Sequence, residues 1–277
     1  VNVARRAERT RLDQLLVERG LVETRSRAEA LIVAGHVRVG EGDAARSNHK
    51  PGDRIPAGVR VELIGRDPYV SRGGHKLAAA LDAFGIDPAG RVCLDVGAST
   101  GGFTDVLLQR GAARVYALDV GRGQLADALR REPRVVSMER TNARALGSGS
   151  LPETVSLAVV DVSFISLGLV LGPIASTFGP DGGPIVPLVK PQFEAGRELV
   201  RGGVVRDPHV HLDVLRRIAR VARDLRLAVL GAIASPILGP EGNREFLLDC
   251  RVGWRGPVPA VEELDAMLTD LALAGTA

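Results

Sequence analysis

LDVGASTGGFT, residues 94–104, decides how the rest of this 277-residue chain is read. Its apolar opening is that of a strand buried on both faces, and it runs straight into a loop holding Gly97, Gly101 and Gly102. Missing side chains let the backbone approach a nucleotide-like ligand at a helix N-terminus. Asp95, Ser99 and Phe103 lie in the same stretch. The next strand-like run, ARVYALDVG, ends about 20 residues on in Asp119, a carboxylate placed to accept both ribose hydroxyls of an adenosine. A third run, RVVSME, leads to Asn142, whose side chain can hydrogen bond an adenine edge. A nicotinamide oxidoreductase would share the strand, loop and acid, but would need GxGxxG where this loop reads GASTGG.

Outward from that loop, apolar runs alternate with helical stretches: RVCLDVG, ARVYALDVG, RVVSME, LAVVDVS, PIVPLVK, LAVLGAIA and EFLLDCRV. This is the pattern of an α/β domain with a seven-stranded, mostly parallel, doubly wound sheet covered on both faces. The last two runs stand close together, so one of them should be antiparallel. After Pro259 the tail reads as one helix. PIVPLVK closes on Lys190, and Pro191 biases it away from the helical region, so the run should not continue as helix. The ammonium is then held at a strand's carboxyl end, the edge where open α/β sheets bind ligands.

The first 64 residues have another character. Leu12, Leu15 and Leu16 recur at helical spacing, Thr24 can cap a second helix with Ala28, Leu31 and Ile32 on its apolar stripe, and Gly35 stops it. Two short strands should follow near Val37–Val39 and Val59–Ile64. Residues 1–66 carry 13 Lys/Arg against 9 Asp/Glu, which leaves a net of −1 for the other 211 residues of a chain whose total is +3. A small basic α+β module on a near-neutral body suits a polyanion. We expect domains at 1–64 and 71–277, joined by a linker over 65–70.

No apolar run approaches the roughly 20 residues of a membrane span, and the arginine-dotted start lacks the apolar stretch of a signal peptide, so a cytoplasmic location is expected. Cys93 and Cys250 sit in apolar runs without ligand spacing and read as buried reduced thiols. His209 and His211 could form an alternating strand pair of metal ligands, but no third ligand accompanies them, and no metal is expected.

The order helix, turn, helix, strand around SRAEALIVAGHVRV resembles the αL RNA-binding domain of a small-subunit ribosomal protein and tyrosyl-tRNA synthetases. By that resemblance Arg25 and Arg27 face phosphates, and Arg5 and Arg72 are further RNA contacts. SRGGHKL, DVGASTGGFT, ERTNAR, VVDVSFISL, LVKPQFE and GPEGNREFLL, in this order, resemble the TlyA family of ribosomal RNA 2′-O-methyltransferases, whose catalytic domain is of the FtsJ type. The resemblance runs to about residue 251. It implies a Rossmann-like class I methyltransferase fold, S-adenosylmethionine as cofactor, ribosomal RNA as partner, and a tetrad falling here on Lys76, Asp161, Lys190 and Glu245. Asp95, Gly97, Ser99, Gly101, Gly102, Phe103, Asp119, Asn142 and Asp161 would bind the cofactor.

The residue types suit that chemistry. A ribose hydroxyl is a poor nucleophile near neutrality, so attack on a sulfonium methyl needs a base or strong polarisation. Lys190 would accept or stabilise the hydroxyl proton, with like charge from Lys76 or the sulfonium favouring its neutral form. Lys76 would position ribose and phosphate, and Asp161 and Glu245 would hold the ammonium groups. Phe164 and Phe193 flank this edge and could stack on a base or pack as core. The alternative is a non-catalytic RNA-binding protein on a methyltransferase scaffold.

Overall fold

The computed structural model describes residues 9–42, 45–65 and 68–274, which form two compact units parting between Pro68 and Tyr69. In the first, β1 (Arg9–Arg11) leads into α1 (Leu12–Glu18), followed by α2 (Arg25–Val33), β2 (Val37–Val39), β3 (Arg54–Pro56) and β4 (Val61–Leu63). Leu12, Leu15 and Leu16 of α1 bury themselves against Ala28 and Ile32 of α2 and against Val37, Val39, Ile55 and Val61. Thr24 caps α2, its hydroxyl oxygen accepting from Arg27 N–H at 3.3 Å and so satisfying one of the helix's unpaired donors. β2 pairs antiparallel with β4, and β1 with β3. The second pair is not visible in the sequence, because RTR holds no apolar residue and RIP only one beside a proline, so neither shows the alternation that VRV does.

The second unit opens with α3 (Gly73–Phe84) and continues β5 (Val92–Val96), α4 (Gly102–Gln109), β6 (Arg114–Leu118), α5 (Asp127–Arg130), β7 (Val135–Met138), β8 (Leu157–Val160) and α6 (Leu171–Ala175). It ends with β9 (Gly183–Val189), α7 (Pro191–Glu194), α8 (Pro208–Asp224), β10 (Ala228–Ala234), β11 (Phe246–Val252) and α9 (Val261–Leu273). The seven strands lie in the order β10-β11-β9-β8-β5-β6-β7. β11 is antiparallel to both neighbours, and the remaining pairings are parallel.

Alternation along the strands feeds two cores. Leu94, Val96, Val160 and Val189 face the layer of α6, α8 and α9, whereas Cys93, Val159, Val186 and Leu188 face α3 and α4. Both cysteines are free and buried. Cutting a fully buried leucine such as Leu94 or Leu157 to alanine would cost about 2–5 kcal/mol. The chain runs β5 to β6 to β7 toward one edge, then returns to place β8 on the other side of β5. The loops after β5 and β8 therefore part at the sheet's switch point, where such folds bind ligands.

One local possibility falls away and one local expectation is corrected. His209 and His211 lie in the first turn of α8 and not on a strand: Asp207 caps that helix, its Oδ1 accepting from His209 N–H at 2.9 Å, with Pro208 at the first helical position. Lys190 is extended, at φ −111° and ψ 98°, yet a short helix follows it at once. Pro191 constrains the residue before it but starts a helix without loss, since its missing N–H would have had no partner.

Candidate active site

The glycine loop is shaped by close approach. Gly97 has φ +85°, and a Cβ there would lie 2.4 Å from the carbonyl oxygen of Asp161, so only glycine lets the β8 loop come this near. At the start of α4, a Cβ on Gly102 would meet Ser71 Oγ at 2.2 Å and Gly74 N at 3.0 Å. Asp119, at the end of β6, is fastened to the loop: Ser99 N–H donates to its Oδ2 at 2.8 Å and Gly121 N–H to its Oδ1 at 2.7 Å. Asp95 lies behind the loop, fully buried, and accepts from the Thr104 hydroxyl at 2.6 Å. Burial pushes the Asp95 carboxyl up to about 7 against the opposing effect of the Thr104 hydrogen bond.

Three cavities meet at this edge. One of about 420 Å³ is walled by Arg72, Lys76, Asp161, Lys190, Glu245 and the glycine loop, including Gly102 and Phe103. A second, of about 320 Å³, reaches Asp119, Asn142 and Phe164. Gly97, Ser99 and Asp161 wall both. A third, of about 460 Å³, is lined by Ser163, Phe164, Lys190, Gln192, Phe193 and Glu245. Asp95 and Gly101 line none of the three; Gly101, at φ +97°, packs its Cα side against Leu129 and shapes the turn into α4.

The four ionisable residues fall into two pairs. Lys76, in the first turns of α3, forms an ion pair with Glu245, just ahead of β11, with side chains 8% and 1% exposed. Lys190 Nζ lies 2.5 Å from Asp161 Oδ1 and donates to Ser163 Oγ at 3.0 Å. Each ammonium thus has its own carboxylate. Glu245 also accepts from Gln192 Nε2 at 3.2 Å. Phe164 is 89% exposed, has φ +63°, and its ring centroid stands 4.6 Å from that of Phe193 at 50°. Ser163 and Gln192 were missed in the sequence because a serine in VVDVSFISL and a glutamine in KPQFE carry no spacing signal of their own.

The arginines are placed unequally. Arg72 is exposed at the rim of the first cavity and donates to the Leu238 carbonyl at 3.3 Å. Arg25 is half exposed and engages buried Asp13 at 3.0 Å, beside Arg11. Hydrogen bonds from Arg11, then Arg25 and the Gln14 N–H, hold the Asp13 carboxyl down at about 2 despite its burial. Arg27 is exposed on the same helix. Arg5 lies outside the described residues. His211 is buried, its Nε2 3.0 Å from the Val205 carbonyl, and burial pushes the imidazole's pKa down. Among the described residues, no group of three or more His, Cys, Asp or Glu is placed to hold a metal ion, and no helix is long and apolar enough to cross a membrane.

A parallel sheet with one antiparallel strand, a glycine loop at its switch point and an acid fastened at the next strand's end define the class I methyltransferase fold, a class that uses S-adenosylmethionine. The FtsJ-like methyltransferase family matches residues 69–251, and the S4 domain matches residues 10–42. The chain is 49% identical over 245 residues to the 16S/23S rRNA (cytidine-2'-O)-methyltransferase TlyA of Mycobacterium tuberculosis, covering 87% of this chain and 90% of that one. It is 40% identical to Hemolysin A of Brachyspira hyodysenteriae, over 86% of this chain and 98% of that one. A solved haemolysin-named structure from Streptococcus thermophilus superposes with a TM-score of 0.72 at 41% identity, covering 96% of each chain. This chain belongs to the TlyA family of FtsJ-like methyltransferases.

Proposed function

We propose that this protein transfers a methyl group from S-adenosylmethionine to the 2′-hydroxyl of a cytidine in ribosomal RNA, in the cytoplasm. The observation that carries the reading is the convergence of two lysine–carboxylate pairs on a cavity that shares a wall with the glycine loop. The loop fits the cofactor: Gly97 and Ser99 wall both cavities, and Asp119 and Asn142 wall the second. When bound, S-adenosylmethionine supplies an electrophilic methyl on a sulfonium.

The chain's own groups do the rest. Gly97, Ser99, Asp119 and Asn142 hold the cofactor's nucleoside end, while Asp95, Gly101, Gly102 and Phe103 keep the loop in shape for it. Lys190 takes or stabilises the proton of the attacking hydroxyl at Nζ, with Asp161 fixing that nitrogen. Lys76, held by Glu245, positions the ribose and its phosphate. Phe164, exposed beside Lys190, offers a face on which a base can stack. The basic first unit and Arg72 supply backbone contacts to the RNA, which position it without reading sequence.

The test is single-turnover methylation of purified ribosomal subunits with labelled S-adenosylmethionine. Lys190→Ala should lose at least the roughly 10²-fold that a positioned proton-transfer group supplies, with fold and cofactor affinity retained. Lys190→Arg should fail nearly as badly, since a guanidinium keeps its proton at any accessible pH. An active Lys190→Ala variant overturns the tetrad, and a wild-type protein that binds subunits without methylating them returns the non-catalytic reading.

A further inference from the structure

Ser163 lies two residues beyond Asp161, on the loop that follows β8, and walls both the second and the third cavity. Its Oγ accepts from Lys190 Nζ at 3.0 Å while Asp161 Oδ1 holds the same nitrogen from 2.5 Å. An ammonium carries three N–H groups that turn freely about its terminal bond. Asp161 Oδ1 meets it as an ion pair without hydrogen-bond geometry, so the bond to Ser163 is what gives those N–H groups a direction. We propose that Ser163 is a positioning residue for the methyl transfer: with Asp161 it completes a two-point hold that aims Lys190 at the reacting hydroxyl. This rests on the role given to Lys190 above.

The loop is built to keep Ser163 where it is. Glu194, whose side chain is 2% exposed, sits at the end of the short helix that begins next to Lys190. Its carboxylate accepts from Ser166 Oγ–H at 2.8 Å and from Leu167 N–H at 2.7 Å. Arg217 of α8 donates to the same carboxylate at 3.3 Å and to the Glu194 carbonyl. The far end of the Ser163 loop is thereby tied to the segment that carries Lys190. Between the two fixed ends stands Phe164 in the left-handed region, at φ +63°. A bulky residue held there costs about 1–3 kcal/mol and persists only when its surroundings over-determine it.

The choice of a hydroxyl also makes chemical sense. A neutral oxygen can direct the ammonium by accepting its hydrogen bond without placing a second anion beside Asp161.

The experiment compares wild type, Ser163→Ala, Ser163→Thr and Lys190→Ala in single-turnover methylation of purified ribosomal subunits, alongside calorimetry with S-adenosylmethionine and thermal unfolding. Ser163→Ala should slow the step about tenfold at saturating subunits, the size of one hydrogen bond to a charged group. Cofactor affinity, half-saturating subunit concentration and Tm should hold within error, since the replaced side chain is exposed. Ser163→Thr, which keeps the oxygen, should recover most of the rate. If Ser163→Ala runs at the wild-type rate while Lys190→Ala is dead, the proposal is wrong and the role of Lys190 stands. If Ser163→Ala instead weakens subunit binding at unchanged turnover, the hydroxyl serves the RNA and the proposal also fails. An active Lys190→Ala removes the reading on which both depend.

Discussion

Lys76 and Glu245, 169 residues apart in sequence, form an ion pair that is almost wholly withdrawn from water. The helix that opens the second unit is thereby bonded to the residue that opens its last strand. Two charges are costly to bury, and the pair offsets that cost only while both partners are present.

Removing one partner should therefore be worse than removing both. Lys76→Met or Glu245→Gln alone leaves a buried charge uncompensated and should destabilise the second unit by about 3–5 kcal/mol. The double variant should recover much of that loss while staying inactive. Denaturant unfolding of the three variants measures the coupling; additive losses would mean the pair is solvated in solution.

Gly97 and Gly102 make a contrast. Alanine at Gly97 meets a backbone oxygen and must also adopt φ +85°, so Gly97→Ala should lower stability by several kcal/mol and abolish cofactor binding. Alanine at Gly102 meets chiefly the hydroxyl of Ser71, which can turn away. Gly102→Ala should be milder, and Ser71→Ala added to it should restore part of the loss. Thermal unfolding with and without S-adenosylmethionine reads both.

What the sequence disclosed follows from how far each signal reaches. The buried runs of β5 and β8 announce themselves because parallel strands covered on both faces are apolar throughout. The glycines of 94–104 report a close approach, though not that its partner is the carbonyl of Asp161. The charges at 76, 161, 190 and 245 were legible only as a set; that they divide into two pairs depends on distances the order of residues does not carry. The serine at 163 matters only through where a loop folds back. β1 and β3 lack apolar alternation, and the strand pair that HVH could have formed gives way to a helix because Asp207-Pro208 is a helix start.

Asp95 should make stability fall as pH rises. Its carboxyl sits near 3.8 in the unfolded chain and at about 7 in the fold, so the fold binds a proton that the unfolded chain has lost between those values. The contribution is fully present below about 4, declines through that window and is gone above about 7; at 1.36 kcal/mol per pKa unit it amounts to at most about 4 kcal/mol. Asp95→Asn, which cannot ionise, should gain on wild type as pH rises from 4 to 7 and hold that gain at pH 8. Thermal unfolding at each pH checks it, and parallel curves for the two proteins would count against a neutral buried carboxyl.

Arg25 and Arg27, two residues apart at the start of α2, should separate into different kinds of residue. Arg25 is joined to buried Asp13, which keeps its charge inside the first unit with the help of Arg11 and Arg25. Arg25→Ala withdraws one of those partners, so it should destabilise the first unit as well as weaken subunit binding, the stability loss being about 1–3 kcal/mol for a hydrogen bond to a charged group. Arg27 stands exposed, and its loss costs the fold little. If it meets an RNA phosphate, Arg27→Ala should weaken binding to ribosomal subunits at every sequence alike and reduce the slope of log affinity against log salt by about one contact's worth. Binding titrations across a salt series, paired with unfolding of each variant, distinguish the two. An Arg27→Ala slope equal to wild type would take that arginine off the RNA, and an Arg25→Ala protein of undiminished stability would mean that Arg11 alone suffices to hold Asp13.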